Sequence, residues 1–212
     1  MMIRLQKRSV NAIALLAVAV AAGCAGPQPL AVHYFGLSPL PASASAPAAG
    51  PRTAQAPLLI VIQDVRLPQY LDRPQIVART TGNSLFWSDE RRWSEPLREE
   101  LRRLLAVNLG RLMPEASVVS APHAVGDRPA LRLEVEIRNF ELGGDGRVVL
   151  DAQWWAAGTR GLSSFPANTV LLSGSAATAT DGDALAAAMS RIFGDFSRRV
   201  AERLRGPDGA MR

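Results

Sequence analysis

Six leucines between two prolines, Leu97, Leu101, Leu104, Leu105, Leu109 and Leu112, recur at the spacing that puts side chains on one side of an α-helix. A chain with such a stripe must bury it, so this helix demands a second layer to pack against. Ser94 is placed to cap its start. Glu95 and Pro96 suit a first turn, where a carboxylate meets free amides and a missing N–H costs little, and Pro114 stops the helix. Arg98, Glu99, Arg102 and Arg103 fall mostly off the stripe. With Glu95, Glu99 and Glu100 interleaved among them, the arginines read as a solvated, self-paired face and not as a lipid or nucleic-acid patch.

The helix closes an unusually constrained stretch. In Tyr70-Leu71-Asp72-Arg73-Pro74-Gln75-Ile76-Val77 the proline biases Arg73 to extended geometry and opens a strand at Ile76–Arg79. Thr81-Gly82-Asn83 turns the chain, and Leu85-Phe86-Trp87 reads as a short second strand paired with the first.

Other segments supply more of a sheet. Ala31–Leu37 reads as a first strand, and Leu58–Ile62, apolar throughout, as one covered on both faces. Ser117–Ser120 is a short strand candidate. Leu131, Leu133, Val135 and Ile137 alternate with Arg132, Glu134, Glu136 and Arg138, the pattern of an antiparallel strand with one wet face. Its parity breaks near Asn139, which predicts a bulge. Gly143-Gly144-Asp145-Gly146 then turns the chain into Arg147–Ala157, where Trp154 and Trp155 face opposite sides, and Thr169–Ala176 follows. A closing helix, capped by Asp181 or Asp183 and ended by Gly206, carries Leu185, Met189, Ile192, Phe193, Phe196, Val200 and Leu204 on one face. These elements predict an α+β two-layer sandwich, a mostly antiparallel sheet of five to seven strands with two long helices packed on one face.

Residues 1–23 combine a basic start with a short apolar run and small residues, the organisation of an export signal. Of 24 Lys+Arg against 19 Asp+Glu, three (Arg4, Lys7 and Arg8) belong to it; 21 against 19 remain, too even a balance for a nucleic-acid partner. The segment ends Ala21-Ala22-Gly23-Cys24, which resembles a bacterial lipobox with Ala21 where Leu is usual. Cys24 is the chain's single cysteine, so no intramolecular disulfide explains it, and acylation does. At about 0.8 kcal/mol per buried CH₂, two or three acyl chains hold a protein to a bilayer permanently. Residues 24–30 are then a tether of roughly 25 Å, 31–206 one domain, about 39–57 a disordered Pro/Ala/Ser loop, and 207–212 a disordered tail.

The run Tyr70–Val77, then Arg79, Arg92-Trp93 with Glu95-Pro96-Leu97, Leu105 and Asn108-Leu109, resembles the signature of the paraquat-inducible protein C family. That family is also described as the auxiliary lipoprotein of ABC-type intermembrane transport systems. The likeness extends weakly to Tyr34–Leu37 and Ala187–Ser190. It implies a non-catalytic lipoprotein that docks an inner-membrane protein with mammalian-cell-entry (MCE) domains and works with its ABC transporter in lipid transport. With Ala25 and not aspartate after the cysteine, the same comparison implies the periplasmic face of the outer membrane. A ring of copies, a homo-oligomer, is compatible with such a role.

The residues themselves offer little for catalysis. His33 and His123 are far apart and without motifs, zinc-ligand spacings and a Walker lysine are absent, and no cofactor is implied. Glu134 and Glu136 suit a wet strand face better than the acid/base pair of a hydrolase. Asp72 and Arg73 admit two readings, a partner-docking pair or an ion pair that stabilises a turn. Of the tryptophans, Trp93 reads as core and Trp155 as the interface residue. A lipid carrier is the alternative function, and it requires an apolar cavity between sheet and helices.

Overall fold

The computed structural model describes residues 31–42, 57–80, 82, 84–122, 128–174 and 181–206. Cys24, the segment read as an export signal, most of the Pro/Ala tract, His123 and residues 207–212 lie outside them. Val32–Arg212 forms one compact unit. In order its elements are β1 (His33–Phe35), β2 (Leu58–Arg66), β3 (Gln75–Arg79), β4 (Leu85–Trp93), α1 (Leu97–Leu112), β5 (Ala116–Ser120), β6 (Ala130–Leu142), β7 (Val148–Gly158), β8 (Phe165–Gly174) and α2 (Gly182–Arg205).

All eight strands join one sheet, organised on β6. One edge of β6 pairs with β7 along its length; the other pairs with β2 over the first half and meets β3 at Leu142. The expectation of a mostly antiparallel sheet is corrected, because β1–β4, β2–β5, β2–β6 and β3–β6 are all parallel. Short turns make β3–β4, β6–β7 and β7–β8 antiparallel. The long returns through α1 and around β2 bring strands back in the same direction, as crossovers do. The predicted bulge is present between Ile137 and Asn139.

Both helices cover one face. Leu101, Leu104, Leu105 and Leu109 of α1, with Phe193, Phe196 and Val200 of α2, are fully buried against Ile60, Ile62, Leu133, Val135 and Phe140. Phe193 lies between Phe140 and Phe196, at centroid distances of 6.1 and 5.5 Å. This burial is the main stabilising term, on the order of 1.5–3 kcal/mol per large side chain.

One helix cap differs from expectation and the other is as expected. Ser94 does not cap α1: Pro96 stands at the N-cap without a side-chain bond, while the Ser94 amide donates to Phe35 O at 2.8 Å. Ser94 is held by the sheet margin and is not free to turn toward the helix. Asp181 does cap α2, accepting from the Ala184 amide at 2.9 Å.

The start of the Pro/Ala tract is also more ordered than its composition implies. After β1 the chain passes between the helices as a strap fixed by polar side chains. Glu100 Oε1 accepts from the Leu37 amide (2.5 Å), Ser190 Oγ from Ser38 (2.9 Å) and Asn108 Oδ1 from Leu40 (2.8 Å), and Arg111 donates to Leu40 O. Glu100 and Asn108 are buried, so Glu100 does not belong to the wet face on which its neighbours lie.

Candidate docking surface

The loop from β2 into β3 is tight. The amides of Leu71 and Asp72 donate to Pro68 O at 2.9 and 3.2 Å, and that of Arg73 to Leu71 O at 2.9 Å. Leu71 points into the core. The neighbouring Asp72 and Arg73 are therefore displayed, and both settle differently from a turn-stabilising pair. Asp72 accepts from Arg98 of α1 at 2.9 Å, and the Arg73 guanidinium lies 4.2 Å from the centre of the Trp87 ring.

Pro74 O then accepts from the Trp93 amide at 2.7 Å, which ties the loop to the end of β4. Trp93 is buried, as read from the sequence. Between these segments lies an open cleft of about 300 Å³, walled by Asp72, Arg73 and Pro74 on one side and by Trp93 through Leu97 on the other. Two stretches separated by about twenty residues thus form one surface feature.

Charges around the cleft are neutralised locally. Arg102 pairs with Glu99 and Arg103 with Glu95, as the interleaved sequence implied. Each such exposed pair contributes at most about 1 kcal/mol. The surface is therefore patterned, with neither sign dominating.

At the far end of β3 sits an ionic pair with one buried member. Glu141 of β6, almost fully enclosed, accepts from Arg79 of β3 at 2.5 Å. The bond to Glu141 raises the pKa of Arg79, and burial, reinforced by the Glu141 charge, pushes the Tyr70 hydroxyl up to about 12. The pair locks β3 to the end of β6. In Glu100, burial raises the carboxyl pKa, partly offset by the Leu37 amide.

Trp155 is elsewhere. It stands half-buried on the sheet face opposite Trp154, under Arg66 at 4.9 Å, with Arg66 paired to Glu134 at 3.1 Å. It does not join the cleft. Trp87, which the sequence did not single out, is the more exposed tryptophan, at 45%. Its signal was the turn residues just before it, which place it near a hairpin tip.

Glu100, Asn108 and Ser197 were also missed. Each falls on an apolar stripe, Glu100 three residues after Leu97, Asn108 four after Leu104 and Ser197 four after Phe193, and a polar residue there signals a buried hydrogen bond. Among the described residues no group of three or more His, Cys, Asp or Glu is arranged to hold a metal. His33 lines a shallow cleft with Glu90, Arg91, Asp181 and Asp183. No helix among the described residues is long and apolar enough to cross a membrane.

The fold is shared with solved structures. A crystal structure of an uncharacterized protein superposes with a TM-score of 0.64 at 19% identity, covering 82% of this chain and 99% of the other. The crystal structure of a protein from Xanthomonas campestris gives 0.58 at 16% identity, covering 81% and 94%. By sequence, the intermembrane transport lipoprotein PqiC of Escherichia coli (strain K12) is 27% identical over 101 residues, 48% of this chain and 52% of that protein. The Shigella flexneri protein of the same name matches equally. The chain thus spans about half the length of the curated relatives it matches. The model of one family, described as the ABC-type transport auxiliary lipoprotein component, matches residues 40–201. Since that match takes in most of the 212 residues, including the cleft, α1, most of α2 and the whole sheet from β2 onward, the chain belongs to the ABC-type transport auxiliary lipoprotein family.

Proposed function

We propose that this protein is a non-catalytic subunit of an intermembrane lipid transport system, anchored by acylated Cys24 to the periplasmic face of the outer membrane. Its folded domain docks the distal end of a periplasm-spanning MCE-domain protein that works with an inner-membrane ABC transporter. The observation that carries this reading is the cleft: the two stretches that resemble the family signature build its two walls and display Asp72 and Arg73 at its rim. Trp155, stacked under Arg66, supplies a second contact on the helix-free sheet face. The space between helices and sheet is filled by side chains in mutual contact, which favours docking over carriage of a lipid in the core.

The test is crosslinking in cells from a photoreactive residue at Ser94, inside the cleft. Docking predicts capture of the MCE protein, with capture lowered by Arg73→Glu in a domain that still folds. Capture unchanged by charge reversal removes this surface from the proposal. Bound lipid in native mass spectra of the Cys24→Ser protein would favour the carrier instead. A Cys24→Ser protein that stays with the outer membrane would refute the anchor.

A further inference from the structure

The cleft between the β2–β3 loop and the start of α1 is bordered by hydrogen-bond donors that the domain leaves unused. The amides of Glu99 and Glu100 turn back to Pro96 O at 2.9 and 3.0 Å, but those of Leu97 and Arg98 find no acceptor among the described residues. Pro96, at the N-cap, makes no side-chain bond to them. With Pro96 and Leu97 in its wall, the cleft receives the uncapped, electropositive end of a 16-residue helix.

Trp93 adds another donor. Its side chain lines the cleft and is 4% exposed, and its indole N–H bonds to nothing among the described residues. The side-chain atoms there that are sealed from solvent without a partner are Glu100 Oε2, Asn139 Oδ1 and Glu141 Oε2, and the indole nitrogen is not one of them. It therefore keeps its access where the ring does, along the cleft.

Charge points the same way. Asp72 is taken by Arg98 and Glu95 by Arg103, whereas Arg73 has no carboxylate partner among the described residues. Its contact with the Trp87 ring, at 4.2 Å, holds the side chain without neutralising it. At about 300 Å³ the cleft is at the lower limit for ligand sites, which suits a side chain and not a lipid with two acyl chains.

We infer that the cleft binds a carboxylate, a glutamate or aspartate side chain on the docking face of the partner protein, held by the Leu97 and Arg98 amides, the Trp93 indole N–H and Arg73. A carboxylate is an acceptor only, with two oxygens to share among donors, and its bonds to a guanidinium are the strong, charge-assisted kind. With both acids of the cleft already paired, one positive charge is left over for it. The stem of the incoming residue packs on Pro74 and Pro96, which supply the apolar part of the wall. This inference rests on the docking reading above and names what the cleft recognises.

The experiment uses the full acylated protein in detergent micelles, with heavy nitrogen at tryptophan so that each indole N–H gives one NMR signal and Trp93→Phe identifies its own. The probe is the blocked peptide acetyl-Ala-Glu-Ala-amide, beside its glutamine counterpart. The glutamate peptide should shift the Trp93 signal and the glutamine peptide should not. Arg73→Gln should raise the peptide concentration required about tenfold, with the Trp154 and Trp155 signals unmoved as the sign of an intact fold. Equal shifts from both peptides, no shift from either, or a response only to a peptide with a free C-terminus would overturn the inference. So would an equal shift from short-chain phosphatidylglycerol, which would make the cleft a headgroup site. Docking itself is judged by capture from Ser94: capture of the MCE protein with an unresponsive Trp93 leaves docking standing and removes the carboxylate, while absence of capture removes the partner whatever the peptide does.

Discussion

Asn108 of α1 donates to Ser197 of α2 across 3.1 Å, at a point where both residues are completely buried. The same amide accepts from Leu40, and Ser197 donates to Phe193 O at 2.8 Å, so one side chain joins the two helices and the strap. Replacing Asn108 with Ala leaves the Leu40 amide without a partner in an enclosed site, a cost of roughly 2–3 kcal/mol. Urea unfolding should show that loss, and hydrogen exchange should show Leu37–Leu40 opening ahead of the sheet.

Glu100 gives the strap a pH dependence of definite sign. Its folded pKa is raised above the ordinary 4.5 by burial, so the native state holds the proton more tightly than the unfolded chain. Its contribution is fully present below pH 4.5 and is lost as pH rises through the folded value. Glu100→Gln keeps an oxygen for the Leu37 amide and cannot ionise. Relative to wild type, the variant should gain stability between pH 4.5 and neutrality, checked by melting temperatures across that range.

The Arg79–Glu141 pair is destabilised from one side only. Arg79→Met strands a carboxylate that is 1% exposed, and breaking such a pair costs about 3 kcal/mol, at the low end because water still reaches Arg79. Glu141→Gln together with Arg79→Met should recover much of it. A thermal unfolding cycle on the four proteins measures the coupling.

Asp72 and Arg98 make the opposite case. Their side chains are 40% and 36% exposed, so Asp72→Ala should change stability by no more than about 1 kcal/mol. If the cleft docks the partner, the same substitution should weaken capture by roughly tenfold, about 1.4 kcal/mol. Denaturation and quantitative crosslinking on one preparation separate the two effects.

At Gly182 an added Cβ would lie 2.3 Å from the Phe35 ring, a contact no rotamer of alanine avoids. Gly182→Ala should therefore push Phe35 outward at a cost of about 1–3 kcal/mol. Loss of protection at β1, with the β6–β7 core unaffected, would localise the change.

Much of the architecture is present in local spacing. The stripes of α1 and α2, the alternation in β6, its bulge before Asn139 and the Gly143–Gly146 turn follow from side-chain periodicity and backbone sterics, which neighbouring residues set among themselves. Arg102 and Arg103 of α1 pair with glutamates within eight residues, so that part of the reading needed no tertiary contact, whereas Arg98 finds its partner in the distant Asp72. The direction in which β1, β2 and β3 meet their partners was not available, because a strand shows the same alternation whether its neighbour runs parallel or antiparallel.

What the sequence determined by itself was therefore where most of the elements lie and most of the faces they must bury. Only the tertiary structure brought Asp72 and Arg73 beside Trp93 and Pro96, set Arg73 on Trp87, and enclosed Glu100, Asn108 and Glu141. The reason is physical: periodicity is a property of a few consecutive residues, whereas burial of a polar group depends on which distant backbone arrives to satisfy it.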